Sequence, residues 1–138
     1  MADERSGLLD TSTVILLGRL SDASQLPGEC LISAITLAEL SVGPLVADTA
    51  KERAARQAHV QQAEADFDAI PFDAAAARAF GTVAATLRRS GHKPAARAYD
   101  ALIAATAIAS ELPLYTCNPD DFREIDHLDV RAVPHPDQ

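Results

Sequence analysis

The fold is decided by the stretch Ala98-Tyr-Asp-Ala-Leu-Ile-Ala-Ala-Thr-Ala-Ile-Ala109. Its apolar positions predict a helix that is buried on most of its circumference, with the carboxylate of Asp100 near its start. A carboxylate on a buried helix needs a hydrogen-bond donor, a cation or a metal ion to offset its desolvation. Asp100 is therefore either a first-turn acid that interacts with the helix dipole or one member of a group of acids. Acids elsewhere in the chain decide between these two interpretations.

The composition bounds the class of protein. The chain has 138 residues, of which 48% are hydrophobic and only 4% aromatic. This length predicts a single domain over residues 1–138, with a core at about 7–133 and a tail at 134–138. The abundance of alanine favours closely packed helices over an aromatic-rich β-sandwich. The net charge of −8 argues against broad, nonspecific binding of duplex nucleic acid.

The cysteines and the hydropathy bear on location. Cys30 and Cys117 both lie in apolar runs, which suits buried, reduced thiols better than a disulfide framework. No apolar run approaches the length of a membrane span, and the N-terminus has no signal-type pattern. We therefore expect a cytoplasmic protein with no membrane partner.

Short apolar runs alternate with helical patterns along the chain. The runs at 7–10, 30–33, 69–72, 113–117 and 130–133 predict strands, and the patterns at 11–20, 34–42, 48–67, 73–90 and 98–111 predict helices. The first helix has Thr11 or Ser12 as its expected N-cap. Strands of this kind indicate a three-layer α/β/α domain with a mainly parallel sheet of about four to five short strands. Sites in such sheets lie beyond the carboxyl ends of the strands.

Four acids in apolar settings are candidates for that edge of the sheet: Asp10, Glu39, Asp100 and Asp121. Carboxylates brought together without a cation repel one another, and some of them are forced to protonate. A divalent metal ion resolves this conflict, and a set of oxygen ligands suits Mg²⁺ or Mn²⁺. A metal ion held in this way can activate water for attack on a phosphodiester. The four acids therefore predict a metal-dependent phosphodiesterase.

At these residues the sequence resembles the PIN-domain ribonucleases, and within them the VapC-type toxins of bacterial toxin–antitoxin pairs. The resemblance covers residues 7–133 and is carried by Leu8-Leu-Asp10 with the following Thr-Ser-Thr, Ser33-Ala-Ile-Thr-Leu-Ala-Glu39-Leu with Gly43, Asp100-Ala-Leu-Ile-Ala-Ala-Thr-Ala107, and Leu114-Tyr-Thr-Cys-Asn118-Pro-Asp-Asp121-Phe122. These pieces occur in the family's order. The resemblance implies a PIN-like α/β/α fold and a metal-dependent endoribonuclease that acts as a toxin.

The resemblance also implies roles for individual residues. Asp10, Glu39 and Asp100 match the three acids that bind the catalytic metal in that family. For the fourth position we expect Asp121 to supply charge and Asn118 to give a supporting contact, with Asp120 a solvated neighbour. Three hydroxyls are expected either to position metal-bound water or phosphate, or simply to cap structural elements; these are Thr11, Ser12 and Thr116.

A cluster of basic residues offers a second functional surface. Four of the twelve basic residues fall within ten positions, namely Arg88, Arg89, Lys93 and Arg97. They form either a solvated surface or a basic lip that receives RNA beside the acids. Arg97 lies three residues before Asp100 and is expected either to hold that carboxylate or to contact the scissile phosphate. The phenylalanines and Tyr99 are assigned to packing, with base stacking as the alternative for Tyr99.

The resemblance also bears on binding partners, and other functions compatible with the sequence are kept as alternatives. The resemblance implies a VapB-type antitoxin that forms a hetero-oligomer with the toxin, and a homodimer through helices such as the alanine-rich surface at 74–87. A net charge of −8 favours a basic antitoxin segment. A non-catalytic binding module with the same fold is the main alternative. A haloacid-dehalogenase-like phosphatase is disfavoured because it needs a second Asp where this chain has Ser12.

Overall fold

Five short strands form one parallel sheet. The computed structural model describes residues 6–91 and 97–137. The strands are β1 (Ser6–Leu9), β2 (Glu29–Ser33), β3 (Ala69–Ile70), β4 (Leu114–Thr116) and β5 (Val130–Ala132). Their order is β3-β2-β1-β4-β5, and each neighbouring pair is parallel. The predicted fold class is therefore confirmed.

Five helices cover the two faces of the sheet. They are α1 (Thr11–Leu16), α2 (Ala34–Val42), α3 (Ala50–Asp66), α4 (Ala74–Arg89) and α5 (Ala98–Ala109). Consecutive residues of a strand point to opposite faces, so Leu8 packs in the core that contains α4 and α5, while Leu9 packs with residues of α1. Short 3₁₀ turns follow α2 at Gly43–Val46 and β4 at Pro119–Asp121.

The helix starts follow the capping chemistry of the sequence. Ser33 and Asp73 cap α2 and α4 by accepting hydrogen bonds from the backbone N–H three residues further on. The expected N-cap of α1 was wrong. That cap is Asp10, whose carboxylate accepts from the N–H of Thr13, because β1 ends one residue earlier than predicted.

The order of the strands creates the crevice that positions the site. The chain leaves β1 for β2 on one side and returns to β4 on the other side, so the direction of winding reverses between β1 and β4. Their close packing depends on Gly7, since a Cβ there would lie 2.5 Å from a ring carbon of Tyr115. Asp10 directly follows β1 and Thr116 ends β4, so both stand at the open edge of this crevice.

Packing confirms most of the predicted core. Phe122 is fully buried, and Phe67, Phe72 and Phe80 pack against the core clusters. The packing role expected for Tyr99 was wrong, because its side chain is 54% exposed at the start of α5. Cys30 and Cys117 are free thiols; Cys117 is buried as expected, whereas Cys30 is only partly buried. In the described ranges no helix has the length and apolar character needed to span a membrane.

Candidate active site

The carboxylate of Asp10 is buried and fully hydrogen-bonded. Only 4% of the residue is exposed. Its Oδ1 accepts from the backbone N–H of Thr13 at 3.1 Å and from the Thr13 hydroxyl at 2.5 Å. Its Oδ2 accepts from the hydroxyls of Ser12 at 3.0 Å and Thr116 at 2.8 Å. Four donors match the about four lone-pair positions of a carboxylate, so the fold holds Asp10 in one orientation.

A second set of hydrogen bonds fixes these donors in turn. The Asn118 side chain donates to Ser12 Oγ at 3.0 Å, and the Asn118 N–H donates to Thr116 Oγ1 at 2.9 Å. The N–H of Cys117 donates to Thr13 Oγ1 at 3.0 Å. Asn118 therefore supports Asp10 through Ser12, and the end of β4 is tied to the start of α1.

Glu39 faces the same edge from α2. The Thr11 hydroxyl donates to Glu39 Oε1 at 2.6 Å and lies 3.0 Å from the hydroxyl oxygen of Thr36. Burial raises the pKa of Glu39, the Thr11 hydrogen bond opposes that rise, and the charge of Asp10 adds to it. Thr11, which directly follows Asp10, thus connects the start of α1 to Glu39.

Asp100 interacts electrostatically with the three other acids. Its pKa is raised from the ordinary 3.8 to about 6, first by burial and then by the charges of Asp121, Asp10 and Glu39. Among the described residues no donor reaches its carboxylate. Asp100 is therefore a first-turn acid of α5 that also interacts electrostatically with three other acids.

Arg97 contacts Asp121, and its effect on Asp100 is electrostatic. Its Nη1 donates to the backbone carbonyl of Asp121 at 2.9 Å and lies 3.8 Å from Asp121 Oδ1. The Arg97 charge opposes the rise in the Asp100 pKa. Arg97 is the N-cap residue of α5, one position before the helix, and the expected direct pairing on one helical face is replaced by this contact with Asp121. Asp120 is exposed and pairs with Arg123, as expected of a solvated neighbour.

The acids converge without forming a finished metal site. In residues 6–91 and 97–137, no three Asp, Glu, His or Cys side chains are arranged to hold a metal ion as they stand. Two physical reasons account for this: the carboxylates repel one another, and the oxygens of Asp10 already accept hydroxyl and N–H donors. The donor set still fits Mg²⁺ or Mn²⁺, since it consists of hard oxygens with uncompensated negative charge.

The predicted basic lip is only partly in contact with the acids. Arg88 and Arg89 are exposed at the end of α4, and Lys93 lies outside the described residues. A basic surface that sequence reasoning missed lies on α3, where Arg56 and His59 line a cavity shared with Glu39. The charged pattern of residues 48–67 predicted a solvated helix. Only the packing of α3 beside α2 places these side chains near an acid.

Sequence reasoning also missed two buried threonines, Thr13 and Thr36. Thr13 supplies two of the four donors to Asp10, and Thr36 lies between Ser33 and Thr11. A signal was present for Thr13: a residue three positions after a capping Asp presents its N–H to that side chain. It was missed because the cap was assigned to Thr11 or Ser12.

Comparison with known proteins agrees with this geometry. Residues 8–128 match the PIN domain family. The chain is 38% identical over 123 residues to Ribonuclease VapC5 of Mycobacterium tuberculosis, a match that covers 88% of each chain. It is 29% identical over 130 residues to Ribonuclease VapC of Rickettsia bellii, covering 92% of this chain and 96% of the relative.

A solved structure supports the same assignment. The crystal structure of VapBC-5, a member of the VapBC family of toxin–antitoxin systems from Mycobacterium tuberculosis, is similar with a TM-score of 0.81 and 36% identity. The match covers 94% of this chain and 99% of that chain. The parallel sheet with acids at its carboxyl edge defines an α/β protein of the PIN class. The chain belongs to the PIN-domain family and, within it, to the VapC-type proteins.

Proposed function

We propose that this chain is an endoribonuclease that acts as the toxin of a type II toxin–antitoxin pair. The observation that carries the proposal is the Asp100 carboxyl, whose pKa is raised to about 6 by burial and by three other acids. Such a concentration of negative charge is costly to the fold and is typical of a functional site. The ribonuclease names of the VapC relatives support RNA as the substrate.

The proposal includes dependence on Mg²⁺ or Mn²⁺. Asp10, Glu39 and Asp100 would hold the ion, Asp121 would contribute charge, and Asn118 would support the site. When bound, the ion supplies a water of lowered pKa and neutralises charge on the phosphate oxygens. The described acids are not arranged around one point, so Asp100 and Glu39 would have to move toward Asp10 for the three to hold one ion.

The acids of the site have distinct roles in this proposal. Asp10 is held in place by Thr13, Ser12 and Thr116, so it provides the fixed reference point of the site. Asp100 is the adjustable ligand, since no described donor holds it and only half of it is ionised at about pH 6. Thr11 orients Glu39 by its 2.6 Å hydrogen bond.

Partners are proposed on the same basis. The similarity to the VapBC-5 toxin–antitoxin structure supports a VapB-type antitoxin and a hetero-oligomer with it. A homodimer is proposed through α4, where Ala77, Gly81 and Ala85 are exposed one turn apart. With cellular RNA as substrate, the proposed place of action is the cytoplasm.

The test is RNA cleavage by single-residue variants. Asp10→Asn and Asp100→Asn are each expected to reduce cleavage of a mixed-sequence RNA by at least about 100-fold, because each removes a charged ligand. Asp120→Asn is the matched control: it removes an exposed acid that pairs with Arg123 and should cleave like the parent. Undiminished cleavage by purified Asp100→Asn would contradict the proposal.

A second candidate is a binding module that cleaves nothing. It is favoured by one observation, namely that the oxygens of Asp10 already accept four hydrogen bonds. Titration with Mn²⁺ followed by calorimetry separates the two candidates. The ribonuclease proposal requires Mn²⁺ binding that Asp100→Asn abolishes, whereas the binding module requires neither.

A further inference from the structure

Tyr99 is the aromatic residue that the core does not use. The chain has four phenylalanines, two tyrosines and no tryptophan. The side chain of Tyr99 is 54% exposed. All other aromatic residues are buried or packed against the core clusters, namely Phe67, Phe72, Phe80, Tyr115 and Phe122. Packing therefore does not account for the ring of Tyr99.

The helix that carries Tyr99 holds it in place. Tyr99 lies in the first turn of α5, and the residues that follow are buried at Ala101 and at 103–107. The backbone of the ring is therefore fixed by the core, and a tyrosine has only two side-chain torsions to restrict. A planar ligand that stacks on such a ring costs little conformational entropy.

Tyr99 directly precedes Asp100 on α5. Consecutive residues of a helix differ by about 100° in direction and 1.5 Å in rise, so the ring lies beside the Asp100 carboxylate and does not cover it. The Arg97–Asp121 pair lies at the same end of α5. Carboxylates repel phosphates, but a stack between a base and a ring involves no net charge and is not weakened by them.

Cations are available at the same end of the molecule. Arg88 and Arg89 are exposed in the last turn of α4. Leu87 of α4 and Ala101 of α5 belong to one core cluster, so the end of α4 packs beside the start of α5. Packed helices lie about 8–10 Å apart, a distance that one or two nucleotides span. A strand at Tyr99 therefore has both the acids and these cations nearby.

We propose that Tyr99 stacks on an unpaired base of the RNA substrate, next to the phosphodiester that is cleaved. This inference rests on the proposed ribonuclease function and adds a substrate class to it. An RNA whose phosphodiester reaches the acids carries a base on each side of that phosphate, and Tyr99 is the exposed ring beside them. Because a paired base has no free face for a side chain, the substrate is single-stranded at this position.

The first test compares two probes that differ only in their bases. A fluorescein-labelled single-stranded RNA of about 12 nucleotides and the same chain with abasic riboses are titrated in Mg²⁺, followed by anisotropy. The parent protein is Asp100→Asn, which prevents cleavage. Adding Tyr99→Leu should weaken binding of the RNA about 5-fold, change binding of the abasic chain less than 2-fold, and leave the salt dependence unchanged. Adding Tyr99→Phe instead, which keeps the ring, should bind RNA like the parent.

The second test uses the fluorescence of the two tyrosines. A base stacked on a tyrosine quenches its emission, and Tyr115 is buried away from any base. Unlabelled RNA should therefore quench the emission of the parent and of Tyr115→Phe, in which Tyr99 is the remaining tyrosine. Tyr99→Phe should show no quenching although it binds RNA normally. Tyr115→Phe is thus the matched control, since it makes the same substitution at the buried ring.

The outcomes separate this inference from the proposed function. Tyr99→Leu binding RNA like the parent would overturn the stack, and so would an equal loss of affinity for the RNA and the abasic chain; cleavage by the wild type would still leave the ribonuclease intact. Base-dependent binding at Tyr99 without any cleavage by the wild type would do the reverse. If Tyr99→Leu leaves RNA binding unchanged but alters the oligomeric state or releases a co-expressed antitoxin, Tyr99 is a protein contact and the proposal is wrong.

Discussion

Two carboxylates of the same site are held in opposite ways. Asp10, between β1 and α1, accepts four hydrogen bonds from Thr13, Ser12 and Thr116. Asp100, on α5, receives none from the described residues, and burial and three like charges raise its pKa to about 6. One half of the site is therefore held by hydrogen bonds within the fold, and the other half carries negative charge that no hydrogen bond from the described residues offsets.

The contrast explains why the acids converge without forming a ligand set. Four hydrogen bonds offset the burial of the Asp10 carboxylate. Asp100 has no such compensation, and its ionisation destabilises the folded protein. The difference between the two sides predicts opposite effects of mutation on stability.

The larger effect is expected on the hydrogen-bonded side. Thr116→Val removes a donor to the buried Asp10 Oδ2 and the acceptor of the Asn118 N–H, and it should lower the free energy of unfolding by about 1–3 kcal/mol. Urea denaturation measures this change. Thr106→Val is the control, because that equally buried hydroxyl bonds only to the carbonyl of Leu102 in its own helix. Equal effects of the two substitutions would show that the Asp10 network contributes no special stability.

A smaller effect of opposite sign is expected on the other side. A pKa raised from 3.8 to about 6 means that the folded state binds the proton more tightly than the unfolded state does. The resulting stabilisation is complete below about pH 3.8 and is lost as the pH rises through about 6. Asp100→Asn avoids that loss, so at pH 7.5 without metal it should be more stable than the wild type by about 1–2 kcal/mol after allowance for solvent screening.

The stability of the wild type and of Asp100→Asn at low pH provides the control. At pH 4 the wild-type Asp100 is largely protonated, so denaturation curves of the wild type and Asp100→Asn should nearly coincide. Addition of Mg²⁺ at pH 7.5 should stabilise the wild type alone. A substitution that destabilises the metal-free protein at both pH values would contradict the account of Asp100.

The sequence was sufficient to predict the fold and the edge of the sheet at which the four acids were expected, for a definite physical reason. Short apolar runs alternating with helices imply a parallel sheet, and parallel strands bring their carboxyl ends to one edge. Asp10 follows the first strand and Asp121 follows the fourth, so their place at the same edge was predictable. Glu39 and Asp100 were expected at the same edge from the positions of their helices.

The contacts within the site were not predictable in the same way. The pairing of Arg97 with Asp121 joins residues 24 positions apart and depends on how a 3₁₀ turn packs against α5. The cavity beside Glu39 depends on the packing of α3, whose pattern of charges suggested only a solvated helix. The exposure of Tyr99 likewise follows from the orientation of α5, because its apolar neighbours in sequence gave no sign of it.

The most direct test of the central claim is a ¹³C NMR titration of the Asp100 carboxyl in the metal-free protein. The account predicts a pKa of about 6, which falls when Asp121 is replaced by Asn and falls further when Mg²⁺ is added. A carboxyl that titrates near its ordinary 3.8 and does not respond to Asp121→Asn would contradict the convergence of the four acids.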